Sequence, residues 1–125
     1  GFAYSAAQVY EGYAQMHAMR DATIRATLPF DMVLSPVSPV VGFAAEAAGP
    51  TGDPATSLDH IGFTVGYNMS EQPAVSVNWG YADNGLPLGV QLAVARFQDA
   101  AALRWAKLVE AVRPAQRPWP TAPFG

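Results

Sequence analysis

Hydrophobic and polar residues alternate regularly over residues 74–79 and again over residues 88–94. Alternation with a period of two is typical of a β-strand that buries one of its faces. Between the two segments, Asp83-Asn84-Gly85 supplies residues that tolerate a positive φ, as a chain reversal requires. The pattern therefore predicts two adjacent antiparallel strands, each with one bulky face and one face of small or polar residues.

This predicted strand pair needs neighbours on its edges and on its faces. Two strands alone are only marginally stable in water, so we expect at least one further strand beside them. A face of small residues is typical of a place where a helix or another stretch of backbone packs very closely. Elsewhere in the chain, the short apolar segment 32–35, which is followed by Pro36, predicts a buried strand.

The N-terminal segment has the pattern of a long amphipathic helix. Ser5 can cap the free backbone amides of the first turn, and Gln8, three residues on, can reach back to the amide of Ser5. Pro29 disfavours helical geometry at the residue before it, so we expect the helix to end near Thr27.

Two shorter helices are predicted further along the chain. Residues 56–67 predict one, with Thr56 or Ser57 as its cap. Asp99 is predicted to cap the other, which ends before Pro114 and has a buried stripe at helical spacing made of Ala101, Trp105, Leu108 and Val112. The loop 36–55 is long, which is typical of a functional segment, and the proline-rich tail 113–125 is expected to run extended over a surface.

Composition limits the classes of partner. The chain has 125 residues, the size of one domain, and we expect a single segment over residues 1–125 with no separate second domain. With 50% hydrophobic and only 14% charged residues, some of its surface is expected to be covered by further protein. The net charge is −3 and the basic residues are scattered, which argues against a nucleic-acid partner.

Neither a membrane nor an oxidising compartment is indicated. No apolar run approaches the roughly 20 residues that cross a bilayer, and the N-terminus does not resemble a signal peptide. The chain has no cysteine, which is compatible with a reducing environment. We therefore expect a cytoplasmic protein with no membrane partner.

Candidate chemistry is sparse. His17 and His60 have no partners at metal-ligand spacing, so no metal site is predicted and a structural or solvated role is favoured for both. Lys107 is predicted on the polar face of a helix, where it would not be desolvated enough to act as a base. The serines are in no nucleophile motif and no glycine-rich phosphate loop is present. The residues predict no catalytic group and no cofactor, only a structural portion of an α/β protein.

Several stretches nevertheless resemble, in the family's order, the C-terminal part of the amidase signature family. The family pattern N-x-T-G-x-P-A-x-S-V-P-x-G is similar to the stretch NMSEQPAVSVNWG, and the pattern D-G-L-P-x-G-x-Q is similar to NGLPLGVQ. FDMVLSP is similar to the family's F-D-x-L-L-x-P strand, and RPAQRPWP to its usual ending. The resemblance implies an α/β fold with a mixed central sheet flanked by helices, of which this chain would hold an incomplete C-terminal part.

The resemblance also implies an activity. Members hydrolyse amide C–N bonds with a Ser–cisSer–Lys triad that lies upstream of the region matched here, so this chain alone is expected to be inactive. Its implied partners are the upstream catalytic part of the same protein and a small-molecule amide substrate. By position, the residues expected to form part of the substrate pocket are Ile61, Thr64, Val65 and Asn68. The alternative for Asn68 is that it only satisfies buried backbone groups at a helix end.

Some positions depart from the family pattern. Ser70-Glu71 stands where Thr-Gly is usual, and Asn78 where proline is usual. Ile61 stands where the tRNA-dependent amidotransferase subunits carry an aspartate that helps to hold glutamine. Because an apolar side chain cannot pair with a substrate ammonium group, the resemblance favours a linear apolar or aryl amide.

A second hypothesis comes from a different functional class. The apolar composition and the proline-rich tail are also compatible with a non-catalytic binding or assembly module on the same scaffold. Homo-oligomerisation is left open under both hypotheses, because unpaired strand edges favour self-association.

Overall fold

The computed structural model describes residues 3–119 and 121. Its helices and strands are α1 (Ala6–Thr27), β1 (Val33–Pro36), α2 (Val65–Ser70), β2 (Ala74–Tyr81), β3 (Pro87–Ala93) and α3 (Asp99–Val112). Two 3₁₀ turns, Pro54–Thr56 and Asp59–Ile61, lie between β1 and α2. The α/β class predicted from the sequence is confirmed.

The three strands form one sheet in the order β1-β3-β2. Both neighbours pair antiparallel with β3, so the predicted adjacency of residues 74–79 and 88–94 is confirmed. The reversal between them has Gly85 at φ 85°, and the amide of Gly85 donates to the carbonyl of Ala82 at 2.8 Å. The further strand beside this pair is β1, which includes Pro36 instead of ending before it. The sequence predicted a buried strand here, which is wrong, because the residues of β1 alternate between half-buried and exposed and Leu34 is 58% exposed. An edge strand accommodates a proline because only one of its sides pairs.

The hydrophobic core lies between the bulky face of the sheet and α3. Val77 and Leu92 are buried against Ala106, with further apolar side chains packed around them: Met32, Val75, Val90 and Val109. The predicted buried stripe of α3 is wrong. Ala102 and Ala106 are buried, whereas Leu108 and Val112 are 58% and 73% exposed and Ala101 and Trp105 are half-buried. The small alanine side chains lie against the sheet because they allow a closer approach than a leucine would.

The beginning of α3 also differs from the prediction. Asp99 is the first residue of the helix and Gln98 occupies the cap position, without a side-chain capping hydrogen bond. The amides of Ala101 and Ala102 donate to the backbone carbonyl of Gln98 at 2.9 Å and 3.1 Å. Asp99 still places a negative charge in the first turn, where the helix dipole favours it.

The first helix begins and ends where the sequence predicts. The Ser5 amide donates to Gln8 Oε1 at 2.8 Å, and the Gln8 amide donates to Ser5 Oγ at 3.3 Å, which completes the capping box. The helix reaches Thr27 and packs on α2, where a Cβ on Gly66 would lie 3.2 Å from Thr23 Oγ1. No residue of α1 is buried. Within the described part of the chain, only the C-terminal half of this 22-residue helix packs against other elements.

The second predicted helix, residues 56–67, is wrong. A first 3₁₀ turn ends at Thr56 and a second occupies Asp59–Ile61. Asp53 caps the first turn by accepting from the Ala55 backbone amide at 2.9 Å. Thr56 and Ser57 lie at the end of that turn and cap nothing at its start. Gly62 and the β-branched residues after it have low helix propensity, which agrees with a continuous helix that begins only at Val65.

The described part of the tail runs extended against β2, as predicted. The Arg117 amide donates to the Tyr81 hydroxyl at 3.1 Å, and the Arg117 guanidinium lies 4.4 Å from the centre of the Tyr81 ring. Residues 120 and 122–125, on which the same prediction falls, lie outside the described residues. None of the helices in the described ranges has both the length and the apolar character that are needed to cross a bilayer.

Candidate functional site

The face of the sheet opposite α3 forms the floor of a cleft with a volume of about 730 Å³. One wall is formed by Pro36, at the end of β1, and the segment 37–43 that follows it. The other wall is the second 3₁₀ turn with the residues just after it. The floor and the second wall are lined by Ser76, Asn78, Pro87, Leu88, Gly89, His60, Ile61 and Thr64. The cleft therefore lies on the small-residue face, where the sequence predicted a close approach of another part of the chain.

Gly89 makes that close approach possible. A Cβ at this position would lie 2.8 Å from Val37 Cγ2 and 3.0 Å from Ser76 Oγ. The Val37 amide also donates to the Gly89 carbonyl at 3.3 Å, which extends the sheet contact beyond β1. A side chain at position 89 would therefore push the first wall away from the floor.

Gln91 connects the second wall to the sheet. Its side chain is only 5% exposed, and Nε2 donates to Ser35 Oγ at 3.2 Å and to the Phe63 carbonyl at 2.9 Å. Ser35 on β1 and Ser76 on β2 are both register partners of Gln91. Because a buried amide without partners is costly, these bonds hold the backbone at Phe63 against the sheet and so set the position of Ile61 and Thr64.

His60 is held in the second wall by two contacts. Its Nδ1 is 2.9 Å from the Ser57 carbonyl oxygen, and its ring meets the Phe43 ring edge-on, with 5.3 Å between centroids. Sequence reasoning favoured a structural or solvated role for His60, because no partner stands near it along the chain. Its place beside Phe43 depends on the path of the loop 36–55, for which the sequence has no periodic signal.

The structure brings together two of the four predicted pocket residues. Ile61 and Thr64 both line the cleft, and Thr64 Oγ1 donates to the Ile61 carbonyl at 3.1 Å. Val65 and Asn68 belong to α2 and are not among the residues that line this cleft. Asn68 is exposed, and its backbone amide donates to the Thr64 carbonyl at 3.1 Å. The pocket role of all four residues stays a prediction.

The end of α2 carries a charge cluster that sequence reasoning missed. Glu71 has φ 57°, in the left-handed region, and its carboxylate accepts two hydrogen bonds from Arg20, at 3.0 Å and 3.1 Å, and one from Arg96. The departure from the family pattern at Glu71 thus coincides with a left-handed backbone, which favours glycine. Two arginines from different parts of the chain compensate the negative charge there.

Beside this cluster lies a buried polar network. Ser70 is fully buried, and its hydroxyl donates to Gln72 Oε1 at 2.8 Å. Gln72 Nε2 donates to Thr27 Oγ1 and to the Val94 carbonyl, both at 3.1 Å. The network joins the ends of α1, α2 and β3. It fixes the position of α2, and the second wall of the cleft is the segment that leads into this helix.

Among the described residues, Tyr67 on α2 is the one whose pKa departs from its usual value. Burial raises the pKa of its hydroxyl above the usual value of 10.0, because the phenolate is poorly solvated there. This shift affects stability at high pH and assigns no role in the cleft.

Comparisons with known proteins place this geometry in a family. Residues 2–103 match the family described as Amidase. The chain is 37% identical over 117 residues to a glutamyl-tRNA(Gln) amidotransferase subunit of Pseudothermotoga lettingae, and the match covers 90% of this chain and 24% of that protein. It is 36% identical over 90 residues to an acylamidase of Rhodococcus erythropolis, and this match covers 68% of this chain and 19% of that protein.

A solved structure agrees with these sequence matches. The crystal structure of the corresponding glutamyl-tRNA(Gln) amidotransferase subunit from Thermotoga maritima superposes with a TM-score of 0.71 at 33% identity, over 86% of this chain and 24% of that one. The chain thus spans about a quarter of the length of the first of these curated relatives. With a match over residues 2–103 and a shared fold, this chain belongs to the Amidase family.

Proposed function

We propose that the complete protein hydrolyses carboxamide C–N bonds with a Ser–cisSer–Lys triad upstream of this chain. The observation that carries the proposal is the family match over residues 2–103. In this arrangement the chain completes the sheet and supplies part of the substrate pocket. The exposed position of Lys107 on α3, away from the residues that line the cleft, supports a triad that draws its lysine from elsewhere.

The proposed substrate is an amide with an apolar or aryl group. The cleft carries the apolar side chains of Ile61, Phe43 and Leu88. According to the family resemblance, Ile61 stands where an amidotransferase subunit carries an aspartate. Burial of an apolar group against such side chains contributes roughly 25 cal/mol per Å² of area removed from water. A charged ammonium group would find no carboxylate among the described lining residues.

An assay with a charge placed in the cleft tests this proposal. The complete protein is expected to hydrolyse a neutral aryl amide, and Ile61→Asp is expected to lower kcat/KM by about tenfold or more, because one apolar contact in a pocket is worth that much. Leu58→Asp is the matched control, since Leu58 is 66% exposed and outside the cleft lining. An equal loss in both variants would contradict the proposed pocket.

The wild-type result separates the two functional classes. Turnover of a neutral aryl amide by the complete protein supports the hydrolase. Absence of turnover on any amide, with intact ligand binding in the cleft, would favour the non-catalytic binding or assembly module.

A further inference from the structure

His60 differs from the other residues of the cleft. Among the described residues that line the cleft, it is the one with a titratable side chain. The others are apolar, or are hydroxyl and amide groups such as those of Ser76 and Asn78. A hydroxyl or a side-chain amide can both donate and accept hydrogen bonds, whereas each nitrogen of a neutral imidazole does only one of the two.

The contact with Ser57 determines which nitrogen of His60 carries the proton. A carbonyl oxygen can only accept, so Nδ1, at 2.9 Å from the Ser57 oxygen, is the donor. In the neutral ring Nε2 then carries the lone pair. Nε2 lies at the tip of the ring, away from the main chain, and the edge-on contact with Phe43 limits rotation of the ring.

A purely structural role would use Nδ1 alone. In that case His60 would only tie the second 3₁₀ turn to Ser57 at the end of the first turn, and its replacement would affect every ligand of the cleft equally. The half-buried ring leaves Nε2 as an acceptor that this turn does not use. An acceptor in a largely apolar cleft favours a ligand that brings its own donor, because an unmatched polar group is costly to desolvate.

We propose that His60 orients the substrate, and that its Nε2 accepts a hydrogen bond from the N–H of a primary or secondary carboxamide bound in the cleft. The inference rests on the proposed function, since it names the feature of the amide that the pocket recognises. An ester with the same acyl and aryl groups lacks this donor and gains nothing from His60. His60 is therefore a determinant of amide over ester selectivity.

The test compares an aryl amide with the ester of the same acyl and aryl groups, in the complete protein. His60→Phe keeps a ring beside Phe43 but removes the acceptor. It is expected to lower kcat/KM for the amide by about three- to tenfold, the usual effect of one neutral hydrogen bond, and to leave the ester within about twofold. His60→Gln, whose Oε1 can accept, is expected to recover part of the amide activity. If H60F does not fold, His60→Leu takes its place.

Binding of the same two ligands, measured as Kd, separates this inference from the proposed function. If the wild-type protein turns over neither ligand, the proposed hydrolase is wrong. The ratio of the Kd for the amide to the Kd for the ester still tests the role of His60. In H60F this ratio should rise by the same factor by which kcat/KM for the amide is expected to fall. Equal losses for both ligands, no loss for either, no recovery in H60Q, or no binding by the wild type would each overturn the assignment.

Discussion

Arg20 and Glu71 form a two-point ion pair across 51 residues of sequence, with Nη1–Oε1 and Nη2–Oε2 distances of 3.0 Å and 3.1 Å. The pair joins the C-terminal half of α1 to the residue that ends α2, and Arg96 binds the same carboxylate. Glu71 does this from a left-handed backbone conformation, which a glycine adopts more readily. The charge interaction and the backbone strain therefore oppose each other at one residue.

This opposition predicts different outcomes for two substitutions at Glu71. Glu71→Ala removes the ion pairs and keeps the strain, whereas Glu71→Gly removes both. We expect E71A to be less stable than E71G by about 1 kcal/mol. We expect E71G to lie within about 1 kcal/mol of the wild type, because the Glu71 side chain is 55% exposed and its ion pairs are screened by solvent. Urea unfolding measures the free energy of unfolding of both variants. Equal stability of E71A and E71G would show that the backbone at position 71 is not strained.

The buried network at Gln72 predicts a larger loss of stability. Gln72→Leu removes the bonds to Thr27 and Val94 and leaves the buried Ser70 hydroxyl with only its longer bond to the Tyr67 carbonyl, at 3.3 Å. The free energy of unfolding is expected to fall by about 2–3 kcal/mol. Gln98→Leu, at an exposed position before α3, is the matched control and is expected to change it by less than about 0.5 kcal/mol. A Q72L loss as small as that of Q98L would show that the network contributes little.

The floor of the cleft predicts a difference between two glycines. Gly89→Ala would place its Cβ within 2.8 Å of the branched Val37 side chain, so the first wall has to move. We expect a loss of about 1–3 kcal/mol in stability, as for other overpacked sites, together with a higher KM for an aryl amide. Gly80→Ala is the control, because a Cβ added at Gly80 would have nothing within 4 Å of it. Wild-type KM and stability in G89A would contradict the close approach.

The raised pKa of the half-buried Tyr67 predicts how stability changes at high pH. Burial raises the pKa of this hydroxyl in the folded state, so the unfolded state loses its proton first as the pH rises above about 10. The folded state is therefore destabilised progressively from about pH 10 up to its own, higher pKa, and is unaffected below this range.

Urea midpoints at about pH 8 and at about pH 10–11 measure this effect. Tyr67→Phe has no hydroxyl to ionise and is expected to lose less stability over that range than the wild type. Tyr10→Phe, at a position that is 76% exposed, should follow the wild type. The prediction fails if Y67F and the wild type have the same pH dependence.

The isolated chain of 125 residues is expected to show no turnover of aryl amides. Under the proposed function it carries pocket residues and no triad. The measurement is an assay of the purified chain beside the complete protein at equal molar concentration. Turnover by the isolated chain would contradict an upstream triad.

The amino-acid sequence by itself determined the elements whose signals are local. The capping box of Ser5 and Gln8, the end of α1 at Thr27 and the pairing of β2 with β3 all depend on residues within one turn or one reversal. Such signals act over a few residues, and no distant contact overrides them here. The family resemblance is likewise carried by short stretches in a set order, which can be read without coordinates.

Only the tertiary structure decided how these elements meet. Leu108 and Val112 have the spacing of a buried stripe, but the alanines of α3 allow the closest approach to the sheet and take that place. His60 enters the cleft because Phe43, in a loop without periodicity, packs on its ring. Glu71 tolerates its left-handed backbone beside arginines that lie 51 and 25 residues away. Contacts between residues so distant in sequence leave no local pattern, and they depend on the packing of the whole chain.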